Sequence, residues 1–442
     1  MRNSSSKFRG LFVILGAFVI NLTFGIVSML SRFQLDMVIY MSNYSSIHRL
    51  VNQGQTIWII GVMTFGMGIS MSLGQCLESK IGPSMTVLFG GWIFSFSTCM
   101  LYFTVKSYLS VVIICYGLIG GIGMGLAYGV LLSTPAQWFP NRRGLVFGIV
   151  LSGCTFYGIT FDRLQSKLIS GSIQNLPISF VFLGTIYAGI QFIGSIVIKG
   201  PPPDIPEDLE NNSSSGKWEI NETSFTKNIY SLNDDNEVEL KPHQLILELD
   251  FWILWMILFI NSFWIYFITA TYSKYSRILG SISDHHIHLV GPISICLGKI
   301  FWGFLIDITS FKRIMLIITI CSSVFIGIFN VIPHIDEQFH DWFLAVCVGA
   351  IFFFNSGNSS VFPAMCAKLF GMKNFVFNYG MLFTSVTSSH VICSGVVKPF
   401  LEDSENFRIE FRNIIFIGCA LSLLAALITI FFRGKSLIIE NV

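Results

Sequence analysis

The chain has 442 residues, 53% apolar and only 12% charged, with a net charge of +2. A soluble domain carries about twice that share of charge, so an ordinary globular protein is excluded. The near-neutral balance points to no particular partner, and no nucleic-acid signature is present.

Arg2, Lys7 and Arg9 precede the first apolar run, 11–31, which is longer than the apolar core of a signal peptide. Further runs without a charged residue follow at 57–77, 85–105, 107–141, 144–161 and 168–198. Segment 200–245 then breaks the pattern. It opens with Pro201-Pro202-Pro203, holds ten acidic residues against three Lys, and is rich in Asn and Ser. That composition reads as a flexible polar linker. Charge-free runs resume at 251–273, 314–335, 342–367, 374–397 and 413–432, and one more, 287–306, is interrupted only by Lys299. Lipid offers the backbone no hydrogen bonds, so runs of about 18 or more apolar residues cross it as helices. The pattern predicts an all-α, multi-pass membrane protein with twelve transmembrane helices. Six form a bundle in 1–199, 200–245 links them, and six form a second bundle in 246–442. The host is a plasma or organelle membrane.

The ten cysteines lie in or at the ends of apolar runs and none forms a CxxC pair. They read as buried, inert thiols, with no disulfide framework or zinc site. With both termini on one side, the tail, the linker and their companion loops hold 16 of the 27 lysines and arginines. That bias places the linker in the cytoplasm. The sequons at Asn211 and Asn221 then face away from glycosylation, and Asn43 lies outside.

The halves match at a fixed offset. Gly74 and Glu78 correspond to Gly303 and Asp307 at 229 residues, and Pro135-Ala136 to Pro363-Ala364 at 228. A parallel six-span repeat is the signature of one large transporter class. After span 2 the chain reads Gly74-Gln-Cys-Leu-Glu78-Ser-Lys80; after span 8 it reads Gly303-Phe-Leu-Ile-Asp307, followed by Lys312-Arg313. Glycine permits close helix approach. The acid is suited to capping a neighbouring helix N-terminus or meeting a base across a gate. The glycines of span 4 (117, 120, 121, 123, 125) and span 5 (144, 148, 153, 158) reduce bulk where helices pack and slide.

These loops resemble the signature of the major facilitator superfamily. Within it, the chain is similar to the oxalate:formate antiporter and monocarboxylate porter branch. The likeness rests on Gly121-x-Gly123-x-Gly125-x-x-Tyr128 leading to Trp138-Phe139-Pro140-Asn-Arg142-Arg143-Gly144-Leu145, on Phe251-Trp252-x-Leu254-Trp255, and on Phe362-Pro363-Ala364 leading to Asn378-Tyr379-Gly380. It implies the superfamily's twelve-helix fold and transport by alternating access.

Lys299 is the most informative residue. An ammonium inside a span costs at least about 2.5–3.5 kcal/mol and therefore faces a partner. Ile295 sits one turn earlier and no other span carries a central Asp or Glu, which leaves a substrate carboxylate as counter-ion. The resemblance implies the same, since the antiporter branch carries an anion-binding cation at this place of span 8. The competing reading is a lysine that snorkels to the interface. Dicarboxylate antiporters have a second cation on span 11, where this chain has Val386, with His390 one turn further on. One fixed cation and one titratable His suit a monocarboxylate, and His390 is either a proton carrier or a helix contact. Animal-type monocarboxylate carriers pair an acid with the span-8 cation; Ile295 stands in that acid's place. Tyr128, Tyr157, Asn21, Ser28, Asn261, Asn355 and Asn358 are further polar candidates, each with helix-to-helix bonding as the alternative role. Ser28 stands where the family has a span-1 Tyr. The cluster His285-His286-x-His288 reads as exposed loop histidines, so no metal is expected.

The expected function is secondary transport of a small monocarboxylate anion, with a proton as the candidate co-cargo, by a monomer in the lipid bilayer. No nucleotide-binding Gly-x-x-x-x-Gly-Lys-Ser/Thr motif occurs, and neither an enzyme activity nor a cofactor is expected. The alternatives are a facilitator of a neutral or zwitterionic nutrient, and a transporter-like receptor that moves nothing.

Overall fold

The computed structural model describes residues 4–25, 30–44, 51–169, 171–202, 240–278, 284–336, 339–402 and 407–434. Most of the linker, 203–239, and Ser28 lie outside the described residues. Among the described residues the chain is helical, with no strand.

Span 1 is Ser4–Thr23. Spans 2 and 3 are the two arms of Trp58–Thr104, which breaks at Gly82, where φ is 81° and ψ is 167°. Only glycine adopts that conformation without strain, and Pro83 follows it, so the chain reverses there. Span 4 is Gly120–Trp138, preceded by a π-helical turn at Ile113–Ile119. Span 5 is Arg143–Ile169 and span 6 is Leu176–Val197. After the linker come span 7, Leu249–Ile278, span 8, Asp284–Ile308, and span 9, Phe311–Ile328. Span 10 is His340–Phe370, span 11 is Phe375–Glu402 and span 12 is Phe407–Phe431.

Nine described helices are long and apolar enough to cross a membrane by length and composition. Gly54–Thr104 holds two spans, and Ser4–Thr23 and Arg143–Ile169 complete the twelve. One further helix, Leu30–Tyr44, lies between spans 1 and 2 where the apolar runs predict a loop. It follows span 1, and Asn43 is exposed near its end.

Glycine rows set the helix order. On span 4 and the π-helical turn before it, Gly117, Gly121 and Gly125 face the backbone of Ile59, Met63 and Met67 on span 2, so both numbers rise together and the spans run parallel. Gly120 and Gly123 face Ser97 and Phe94 on span 3, where the numbers run oppositely, so those spans are antiparallel. The reversal at Gly82 follows. In span 5, Gly153 packs on Phe18 of span 1, whereas Gly144 and Gly148 face Gly303 and Lys299 of span 8. One span thus packs within its own half on one face and against the other half on the next.

The outer surface is apolar. Phe12, Phe89, Phe96, Phe182, Ile193 and Phe431 are each at least half exposed. Apolar surface on this scale belongs in lipid.

A Cβ at Gly121 would collide with the Met63 carbonyl, while one at Gly189 would meet nothing. Gly121→Ala is expected to destabilise the protein by about 1–3 kcal/mol through overpacking, and Gly189→Ala to leave it unchanged or slightly more stable. Thermal unfolding of the detergent-purified variants measures both; equal melting temperatures would sink the glycine-row account.

Candidate functional site

Span 5 starts at Arg143 and Thr155 lies near its middle. Twelve residues of helix rise about 18 Å, which is roughly half of a 30 Å hydrocarbon layer. Gly144, Gly148, Leu151 and Thr155 follow the i, i+4, i+7, i+11 spacing that keeps residues on one helix face. The glycines bring the backbone of span 8 against span 5, in contact at Gly303 and at Lys299 itself. At that depth the Lys299 ammonium donates to the Leu151 carbonyl at 2.9 Å and to Thr155 Oγ1 at 3.0 Å. Lys299 therefore reaches across to the other half of the protein at mid-membrane depth, and does not snorkel to the interface. Its acceptors are neutral.

Tyr128 lies on span 4 and faces span 11. The Tyr128 ring lies 5.9 Å from that of Phe383 on span 11. The remaining candidates sit elsewhere. Tyr157 receives the Tyr187 hydroxyl at 2.9 Å and stacks on Phe161, an aromatic cluster inside the first six spans. Asn261 donates to Asn358 at 3.1 Å, and Asn355 donates to Ser322 at 3.0 Å, which ties spans 7, 10 and 9 together. Asn21 donates to the Val150 carbonyl at 2.8 Å. His390 stacks on Tyr266 at 4.5 Å, with its Nδ1 buried and unpartnered among the described residues. No hydrogen bond among the described residues links His390 to Lys299. The backbone of His285, His286 and His288 opens span 8, but their side chains lie outside the described residues.

The loop signatures fall on the linker side and differ between the halves. Asp307 accepts the backbone N–H of Gly144 and of Leu145, each at 2.8 Å. It caps the N-terminus of span 5, where a carboxylate meets unsatisfied donors and the positive helix end. Lys368 donates to the Ile306 carbonyl at 3.2 Å, near the last turn of span 8. In the other half Glu78, the counterpart of Asp307, is half-buried and makes no hydrogen bond or ion pair among the described residues. Gln75, one turn earlier, reaches span 11 instead. Its Oε1 accepts the Phe377 N–H at 2.7 Å, and its Nε2 donates to the Lys373 carbonyl at 3.1 Å and to Asn374 Oδ1 at 3.3 Å. Lys80 and Arg313 are exposed and Lys312 is half-buried. The end of the linker joins this contact. The Leu240 carbonyl accepts from Asn374 and Asn378 at 3.3 Å each, and its N–H donates to the Phe370 carbonyl at 3.2 Å.

Gln75, Thr155 and Leu240 went unread in the sequence. The stripe 144, 148, 151, 155 was the available signal for Thr155. Gln75 carried none, because its partners lie about 300 positions further along the chain.

A family profile for the Major Facilitator Superfamily matches residues 10–286. The chain is 25% identical over 389 residues to apicoplast pyruvate carrier 1 of Toxoplasma gondii, covering 78% of this chain and 70% of that one. It is 23% identical over 328 residues to the oxalate:formate antiporter of Oxalobacter formigenes, covering 73% and 70%. It is 22% identical over 444 residues to monocarboxylate transporter 9 of Gallus gallus, covering 85% and 86%. Among solved structures, the proton:xylose symporter XylE bound to 6-bromo-6-deoxy-D-glucose matches with a TM-score of 0.68 at 16% identity, over 98% of this chain and 97% of that one. That likeness is one of fold.

Gln75→Ala removes three hydrogen bonds from the contact between spans 2 and 11, while Glu78→Ala removes none among the described residues. Spin labels at positions 80 and 373 are expected to show a longer distance population for Gln75→Ala and an unchanged one for Glu78→Ala. The reverse ranking would return the gate role to Glu78.

Proposed function

The chain belongs to the Major Facilitator Superfamily, and from that premise we propose that it carries a small monocarboxylate anion by alternating access, with Lys299 as the anion-binding cation. That it is a multi-pass membrane transporter, and no enzyme, follows from the family and the fold. The substrate class is our reading.

One observation carries it. Lys299 holds an ammonium at mid-membrane depth, between the two halves, and its acceptors among the described residues are neutral. A carbonyl and a hydroxyl supply dipoles but leave the net charge uncompensated, and an unpaired charge in a low-dielectric setting is strongly unfavourable. A substrate carboxylate neutralises it. One cation balances one carboxylate, so a monocarboxylate such as formate, lactate or pyruvate fits better than oxalate. The named relatives support the class, since one is a pyruvate carrier, one an oxalate:formate antiporter and one a monocarboxylate transporter.

Transport then has two parts. The anion binds between spans 5 and 8 beside Lys299. Rocking of the halves next opens the linker-side ends, where Asp307 holds span 5 and Gln75 holds span 11. We assign Tyr157 and Asn261 to packing within the halves, and keep Tyr128 as a candidate for the substrate's neighbourhood. His390 remains a candidate for a coupled proton.

Uptake of radiolabelled formate, lactate, pyruvate, an amino acid and a sugar into proteoliposomes, with and without a pH gradient, tests the reading. Wild type should take up at least one monocarboxylate, and Lys299→Ala should lose it by a hundredfold or more. Normal monocarboxylate uptake by Lys299→Ala would refute the site. Uptake of the amino acid or sugar alone would establish a neutral-nutrient facilitator, and no uptake of any solute with partner binding intact would establish a receptor.

A further inference from the structure

Thr155 differs from most threonines of the spans, and from Thr104 and Thr134, whose buried hydroxyls also lack a partner among the described residues, in having an ammonium against both its hydroxyl and its usual acceptor. Inside a helix a threonine usually donates its hydroxyl proton to the carbonyl four residues back. Thr98, Thr160, Thr185, Thr271, Thr319 and Thr429 all do so, at 2.7–3.0 Å. For Thr155 that carbonyl belongs to Leu151, and Lys299 occupies it at 2.9 Å. Thr155 Oγ1 itself accepts a second ammonium N–H from Lys299 at 3.0 Å. Among the described residues its own proton is given to no acceptor. Thr155 is 1% exposed, so water does not readily serve in the acceptor's place. A buried hydroxyl with an uncommitted proton beside an ammonium calls for an acceptor from elsewhere.

The ammonium is in the same position. It has three N–H donors, and two go to Leu151 and Thr155. One remains. Two donors, one N–H and one O–H, thus lie on heavy atoms 3.0 Å apart. The two oxygens of a carboxylate are about 2.2 Å apart, so a single carboxylate can accept from both, each bond being charge-assisted.

We propose that Thr155 is a substrate-binding residue that receives one carboxylate oxygen of the transported monoanion while Lys299 receives the other. The inference rests on the reading of Lys299 given above and deepens it. Span 5 supplies half of the recognition and span 8 the other half, so the anion bridges the two halves of the protein. The preference is for a planar two-oxygen head group, because each donor then meets its own charged oxygen, whereas a neutral amide or a one-oxygen anion has to share one oxygen between both.

The test is a kinetic comparison of full-length wild type, Thr155→Val, Thr155→Ser and Lys299→Ala in proteoliposomes, using formate, lactate and pyruvate. Thr155→Val keeps the shape and removes the hydroxyl; Thr155→Ser keeps the hydroxyl and removes a methyl. The expected result is a KM for the monocarboxylate raised about ten- to hundredfold in Thr155→Val, the usual cost of a hydrogen bond to a charged group. Thr155→Ser should stay within about threefold of wild type, and Lys299→Ala should be inactive. A purely structural role for Thr155 would lower the yield of folded protein or kcat without this KM split, and the serine variant would not rescue it. Loss of uptake by Lys299→Ala with a wild-type KM for Thr155→Val would overturn the role of Thr155 and leave the Lys299 site standing. Undiminished uptake by Lys299→Ala, or no monocarboxylate uptake by wild type, would overturn both. If Thr155→Val fails to fold, Thr155→Ala against Thr155→Ser gives the same comparison.

Discussion

A fixed positive charge in the middle of a hydrocarbon layer has to be solvated by the protein, and much of this structure is arranged around that demand. Removing the hydration of an ammonium is among the largest penalties a membrane helix can incur. Lys299 meets it with a carbonyl and a hydroxyl of span 5. Those groups are within reach only because Gly144 and Gly148 let the backbone of span 8 approach closely. The glycines of span 5, the lysine of span 8 and the depth of both follow from one requirement. The same groups join residues from either side of the linker, so the charge ties the two halves at mid-membrane depth.

The linker-side ends are held by two ties of different chemistry. Between spans 5 and 8 a carboxylate, Asp307, caps two N–H groups. Between spans 2 and 11 an amide, Gln75, both accepts and donates. Hydrogen bonds to charged groups contribute about 1.5–3 kcal/mol, and those between neutral groups about 0.5–1.5 kcal/mol. The first tie is therefore the stronger per bond, and the second compensates by number and by the added grip of Leu240 on Asn374 and Asn378. Sequence symmetry at Gly74 and Gly303 has not been kept as symmetry of interaction.

The large-scale design was legible because lipid admits few solutions. A run without charge, about 20 residues long, has to be a helix, and a polar break after the sixth run separates six helices from six. The Asp307 cap was among the two roles that a loop acid can play. Lys299 was recognisable because a lone charge in an apolar run stands out. What could not be read depended on contacts between residues far apart in the chain. Thr155 is one hydroxyl among many, and its distinction comes from a lysine 144 positions away occupying its usual acceptor. Gln75 has no distinction until span 11 is placed beside it, and Glu78 looked like the counterpart of Asp307 because the offset matched. Tyr157 and Asn261 were sound as buried polar groups, but burial alone does not say whether the partner is a substrate or a neighbouring helix. The helix at Leu30–Tyr44 was missed because its mixed polarity reads as a loop between two apolar runs.

The contact between Gly148 and the backbone of Lys299 also has a mechanical meaning. Backbone meets backbone there, so it can serve as a fulcrum for a tilt of span 8 against span 5. Asp307 is eight residues further along span 8, a lever arm of about 12 Å. A tilt of roughly 10° about the fulcrum displaces that end by about 2 Å, enough to break hydrogen bonds that are 2.8 Å long. The ammonium, only a side chain's length from the pivot, moves less through the same tilt. A protein built this way can release the Asp307 cap while the contact between span 5 and Lys299 shifts far less.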